Sequence, residues 1–181
     1  MRTFVWALLA AGLAFPLLVA PTQAKFKGAD FQLQTVKRPD QTAISGLALR
    51  GRFESMDLPV GLILLPTIER WRDKSTADFV GLEAVQRDMA VSLDAAYQWD
   101  LGAWSPYLGA GLASHFIKSE ASAPQLGLAR VEDSVTKLGP NFLVGVDMPG
   151  AGGLRSYMEF KYQAIRPYQQ IKFNWGLTYG F

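Results

Sequence analysis

The stretch IKFNWGLTYGF, residues 171–181, decides how the rest of the chain is read. Ile171, Phe173, Trp175, Leu177, Tyr179 and Phe181 occupy one parity; Lys172, Asn174, Gly176, Thr178 and Gly180 occupy the other. Side chains of an extended strand point alternately to opposite faces, so one face here is wholly apolar and aromatic and the other is polar or tiny. An aromatic at the last position is also unlike the short polar tail on which most soluble domains finish.

The same period of two recurs upstream. Leu47, Leu49, Gly51 and Phe53 alternate with Ala48, Arg50, Arg52 and Glu54. Met89, Val91, Leu93, Ala95, Tyr97 and Trp99 alternate with Ala90, Ser92, Asp94, Ala96, Gln98 and Asp100, and Met158, Phe160 and Tyr162 alternate with Tyr157, Glu159, Lys161 and Gln163. Leu108, Ala110, Leu112 and Phe116 oppose Tyr107, Gly109, Gly111 and His115; Phe142, Val144 and Val146 oppose Asn141, Leu143, Gly145 and Asp147. Phe31 and Leu33 oppose Asp30, Gln32 and Gln34. VGLILLPTIERW, residues 60–71, is apolar on both parities with Pro66 inside it, and reads as a strand by its place in the series. These are eight candidate strands, each of a length that crosses a bilayer at a tilt.

The polarity of the pattern matters as much as its period. A soluble barrel would bury the Trp, Tyr, Phe and Leu of every strand and leave Gly109, Gly111, Gly145, Gly176 and Gly180 on a solvent face where nothing requires small residues. With the apolar face turned to lipid, the small and charged residues fill a narrow lumen that has room for little else. The links at 56–59, 101–104 and 148–153 are short and turn-rich, and they alternate with longer polar stretches around 37–45, 72–87, 119–134 and 166–170. Short turns on one side and long loops on the other are the outer-membrane arrangement, with both termini periplasmic. Trp99, Trp104, Tyr179 and Phe181 then fall in the periplasmic aromatic girdle, and Trp71, Phe116 and Tyr168 in the outer one.

Composition narrows the partners. MRTFVWALLAAGLAFPLLVAPTQAK opens with Arg2, an apolar run from Phe4 to Ala20 broken by Pro16, and small residues at Thr22 and Ala24, which reads as a secretory signal peptide over 1–24 and a barrel over 25–181, the mature chain starting at Lys25. The leader removes one base from 18 Lys and Arg against 16 Asp and Glu, so the mature chain is near neutral and nucleic acid is not an expected partner. Without cysteine there are no disulfides or thiolate metal sites, and a single histidine, His115, excludes imidazole clusters. No cofactor is expected.

Two stretches carry a family resemblance. NWGLTYGF, residues 174–181, resembles the C-terminal assembly signal of bacterial outer-membrane barrels, in Asn174, Gly176, Tyr179 and Phe181. WSPYLGAGLAS, residues 104–114, resembles the fifth strand of the small OmpA-type and OmpX-type barrels, where a Pro-Tyr pair enters a Gly-rich strand. The resemblance implies an all-β, eight-stranded, antiparallel up-and-down barrel of the bacterial outer membrane. It further implies a monomer in contact with outer-membrane lipid and lipopolysaccharide, escorted by periplasmic chaperones and inserted by the barrel-assembly machinery. Fold alone does not fix function in such families.

Seven charged residues, Arg50, Arg52, Glu54, Asp94, Glu159, Lys161 and Lys172, are expected to face the lumen. Close to balance in sign, they read as a paired, hydrogen-bonded plug, with a selective pore as the other use of the same residues. His115 is the natural candidate base, yet Ser114 lies on the opposite face and no His-x-Ser spacing like that of the lipid A deacylases is present, so it reads as a lumen residue without catalytic duty, one whose replacement leaves fold and phenotype intact. Phe79, Val80, Leu82, Leu126 and Leu128 read equally as adhesin contacts or as strands continuing above the membrane. The reading is a barrel of structural or surface-interaction type without catalytic activity. A lipid A acyl-chain-modifying enzyme is the alternative, and a soluble lipocalin-like binder comes third. Deleting Phe181 is expected to lower the amount of assembled barrel in cells far more than it lowers the stability of protein refolded in detergent; equal losses would make the residue an interface anchor only.

Overall fold

The structure, a computed structural model, describes residues 24–39, 42–55, 59–77, 82–123, 128–166 and 168–180. Residues 1–23, which hold nearly all of the expected leader, and Phe79, Val80, Leu126 and Phe181 lie outside them. Eight strands follow one another: β1 (Ala24–Lys37), β2 (Ile44–Ser55), β3 (Leu62–Ala77), β4 (Leu82–Gln98), β5 (Ser105–Ala123), β6 (Leu128–Met148), β7 (Leu154–Gln163) and β8 (Gln170–Gly180). Each pairs antiparallel with the next, and β8 pairs back to β1 from Gly28 opposite Gly180 to Lys37 opposite Ile171, which closes the ring. A closed ring satisfies the backbone groups of every strand and leaves no edge, which a bilayer requires because it offers no water to pair with.

The polarity is inverted relative to a soluble protein. Along β8 Ile171 is 54% exposed while Lys172 beside it is 0% exposed, and the alternation holds from Gln170 to Thr178. Leu49, Leu108, Phe142 and Phe160 stand on the outside; Arg50, Asp94, Glu159 and Lys161 are buried within. At one end of the barrel, the end that also carries both termini of the described chain, Gly61 just before β3, Gly102 between β4 and β5, and Gly152 and Gly153 between β6 and β7 have φ between 63° and 92°, where a side chain is strained. At the far rim the hairpins are uneven. β5 and β6 run for 19 and 21 residues, against 10 and 11 for β7 and β8, so much of 72–87 and 119–134 is strand rather than loop.

β3 explains why its segment showed no alternation. Ile63 and Leu65 point inward and pack with Ala96, Tyr107 and Leu143 in an apolar layer, so the lumen is not lined by small and charged residues alone. Leu64, Pro66 and Ile68 are on the outward parity. Pro66 has no N–H to give to the ladder, and the pairing of β2 with β3 passes from Arg50 opposite Thr67 to Phe53 opposite Leu64 with a gap beside the proline. Trp71 corrects the girdle assignment. It is inward and 2% exposed, donating from Nε1 to Gln170 Oε1 at 3.3 Å under the Arg38 guanidinium.

The inward glycines have a steric reason. Tyr107 lies directly opposite Gly145 and Tyr157 directly opposite Gly176, and each ring covers the glycine across from it. A Cβ on Gly145 would come within 2.4 Å of the Tyr107 ring, and one on Gly176 within 2.7 Å of the Tyr157 ring. Gly111 makes room for Asp94 in the same way, at 2.4 Å. Gly145→Ala is therefore expected to destabilise the barrel by about 1 to 3 kcal/mol through displacement of Tyr107, read from urea unfolding in detergent. The same change at Gly102, which has no neighbour near its would-be Cβ, probes backbone strain alone.

Candidate functional site

The chemistry of the molecule is concentrated in the lumen, where alternation delivers one inward side chain per two residues from all eight strands. Nearest the turn end, Asp30 of β1 accepts from Arg50 Nε at 2.5 Å and from Arg52 Nε at 2.8 Å. The two arginines then reach across the barrel. Arg50 Nη1 donates to Glu159 Oε2 of β7 at 2.5 Å, and Arg52 donates to both carboxylate oxygens of Asp147 on β6 at 2.5 and 2.9 Å. Tyr157 lies beneath both guanidinium groups, 4.6 and 5.3 Å from its ring centre.

A second tier sits toward the far rim. Lys161 of β7 donates to Asp94 Oδ2 of β4 at 2.8 Å, and Lys172 of β8 to Glu69 Oε1 of β3 at 2.5 Å. Neutral donors supply what the cations do not: Gln34 and Gln163 bind Glu69, Asn141 binds Asp94, Tyr107 and Asn174 bind Glu159, and Gln98 binds Asp147. This shares out the excess of buried carboxylates over cations. A third tier closes the far end, where His115 Nδ1 lies 2.6 Å from Asp88 Oδ2 and Gln170 bridges Asp88 to Trp71. Arg38 lies over Trp71, pairs with Asp73 at 2.7 Å and also binds Gln86.

Of the seven charges read from the sequence, six lie in these tiers. Glu54 does not. It has inward parity but sits at the turn-end rim, 37% exposed, and pairs with Lys27 at 2.6 Å. Asp30, Glu69, Asp88 and Asp147 are buried partners that the sequence reading did not count. Asp30 and Asp147 stood on the inward parity and were findable by it; Glu69 lies in the segment without alternation. His115 is not a bystander to the fold, since it is 0% exposed and holds Asp88. Ser114 is on the outward parity of β5, away from the imidazole.

The four residues of the expected assembly signal are placed as follows. Asn174 donates to Glu159 Oε1 at 2.8 Å, Gly176 lies under the Tyr157 ring, Tyr179 is half exposed on the outer wall, and Phe181 is outside the described residues. Among the described residues no group of three His, Cys, Asp or Glu could hold a metal ion.

The enclosed lumen and the turn-end rim differ in what a charge deletion exposes. Arg50 is buried and shared between two carboxylates, so Glu159→Ala leaves a desolvated cation half-paired and is expected to cost about 3 to 5 kcal/mol. Glu54→Ala breaks a solvated pair and is expected to cost less than about 1 kcal/mol. Urea unfolding of both variants in detergent checks this; equal, small losses would mean a solvated lumen.

No family model matches the chain, and no curated protein matches it. Solved structures do. Neisserial surface protein A aligns at a TM-score of 0.62 and 14% identity over 87% of this chain and 99% of its own. The attachment invasion locus protein Ail of Yersinia pestis aligns at 0.59 and 13% over 88% and 99%. A major outer membrane protein from Thermus thermophilus aligns at 0.66 and 13% over 84% and 99%. At such identities the likeness is one of fold, and with the inverted polarity and the closed ring it is specific: the chain has the eight-stranded antiparallel β-barrel fold of small bacterial outer-membrane proteins.

Proposed function

We propose that the protein is an outer-membrane barrel of structural or surface-interaction type that neither conducts solutes nor catalyses a reaction. One observation carries this reading: the lumen is crossed by ion pairs joining β2 to β6 and β7, β4 to β7 and β3 to β8, so the space a pore or a substrate would need is taken up by paired side chains. The lipid A-modifying alternative gains nothing from His115, which is sequestered against Asp88, while the adjacent Ser114 lies on the outward parity of β5.

In this reading residues 1–24 are removed on export, the barrel is inserted as a monomer by the assembly machinery, and the turn end faces the periplasm. The long hairpins β3–β4 and β5–β6 then rise on the cell surface, and interaction with partners falls to them. The expected result is recovery in the outer membrane, extraction only by detergent, and different migration of boiled and unboiled samples on a detergent gel. Purified barrel in a planar bilayer is expected to show no steady conductance, and lipid A mass spectra of strains with and without the gene are expected to coincide. Recovery in the soluble periplasmic fraction would overturn the membrane reading; stable conductance, or a missing acyl chain, would overturn the inert lumen.

A further inference from the structure

Like charges directly opposite one another in a sheet repel, so a run of them on an outer wall asks for a reason. Arg72 of β3 lies opposite Arg87 of β4, and Arg87 lies opposite Lys118 of β5. All three are on the outward parity, as is Arg70 one rung nearer the membrane centre. Arg87 is relieved by Glu120 at 3.2 Å, whereas among the described residues Arg70, Arg72 and Lys118 have no ion-pair partner. The acids of this wall, Glu83, Glu120 and Glu132, stand farther from the barrel centre than the cation row and are drawn into pairs with Lys74 and Arg130.

On the membrane side of the row the outer wall of β2–β5 is hollowed into a groove of 1040 Å³, lined by Pro66, Ile68, Leu93, Leu112 and Phe116 with Ala95 and Ala110 as small members. Groove and cations are continuous: Phe116 lines the groove, lies opposite Met89, and is two residues from Lys118 on the same face. The height is right as well. From Leu108 to Lys118 a strand rising about 3.3 Å per residue at a tilt near 40° climbs about 25 Å, the height of the apolar band of such a barrel. The cations therefore stand where acyl chains give way to headgroups.

We infer that the outer face of β3–β5 binds a phosphorylated, multiply acylated lipid of the outer leaflet, with phosphate held by Arg70, Arg72, Arg87 and Lys118 and acyl chains laid in the groove. This rests on the membrane-barrel reading above. It accounts for both halves of the surface together: a cation row that is repulsive by itself, and an apolar hollow opening beneath it. A phosphate accepting from several cations offsets their repulsion, and the groove selects an amphiphile over a free ion.

The full barrel in nonionic detergent is titrated with bisphosphorylated lipid A and with the same lipid stripped of both phosphates. Wild-type protein is expected to bind the phosphorylated form saturably and at least tenfold more tightly than the stripped one, a comparison that needs no variant. Arg72→Gln/Arg87→Gln/Lys118→Gln is expected to lose that preference. Ala110→Trp, which fills the groove, is expected to weaken binding of both lipids, and Lys25→Gln/Lys27→Gln at the opposite rim is expected to change nothing. Equal binding of the two lipids by wild type, or equal loss in the Lys25/Lys27 variant, would overturn the site. Each protein is first checked for the boiled-versus-unboiled gel shift: a wild type without it defeats the barrel reading, whereas a shifted wild type that does not discriminate defeats the lipid site alone.

Discussion

A charge enclosed by a barrel wall cannot be left unpaired, and that constraint organises the molecule. Taking an ion out of water costs several kcal/mol, recovered only when a counter-charge and further hydrogen bonds meet it in good geometry. Every strand here contributes inward polar side chains, and four of the ion pairs they form join strands that do not neighbour one another in the sheet: Arg50 with Glu159, Arg52 with Asp147, Lys161 with Asp94, Lys172 with Glu69. Ladder hydrogen bonds specify which strand lies beside which. The transverse pairs specify which faces which, and a strand slipped by one residue would carry its lumen charge out into lipid.

Side-chain size follows from the same crowding. Guanidinium groups at the axis need flat partners, and Tyr157 provides one under Arg50 and Arg52. That ring fits only because Gly176 lies beneath it, as Gly145 lies beneath Tyr107, whose hydroxyl completes the shell of Glu159. Arginine, tyrosine and glycine on three different strands are thus one packing unit. The apolar layer of Ile63, Leu65, Ala96 and Leu143 packs with Tyr107 beside the charges, Leu65 lying opposite Asp94 and Leu143 opposite Lys161.

Much of this was legible in the chain because period two and polarity are local properties. Residues 171–180 announce both the strand and the side that meets lipid, and six of the seven charges read as lumenal are buried there. What was not legible depends on depth along the strand, which parity does not report. Glu54 shares the parity of Arg50 and Arg52 but lies past the last enclosed rung, in water with Lys27. Trp71 reads as a girdle residue by composition, yet its parity is inward and it caps the lumen. In β3 alternation failed because both faces are apolar there, one against lipid and one against the plug, and Glu69 was hidden with it.

A lumen filled by its own side chains moves any recognition to the outside, where depth again decides what a charge can do. On β3–β5 the basic residues nearest the apolar band are Arg70, Arg72, Arg87 and Lys118, and among the described residues Arg87 alone of these four has a carboxylate partner, Glu120, while Lys74 and, on β6, Arg130 stand farther out and are paired with Glu83, Glu120 and Glu132. An unpaired cation well above the membrane gains little, since water and salt screen it. The same cation at the boundary of the hydrocarbon meets a lower dielectric and a layer of headgroups, so leaving it unpaired there has a consequence that leaving it unpaired on the rim would not. The placement of carboxylates, withheld at one rung and supplied above it, is what distinguishes this wall from a merely solubilising surface.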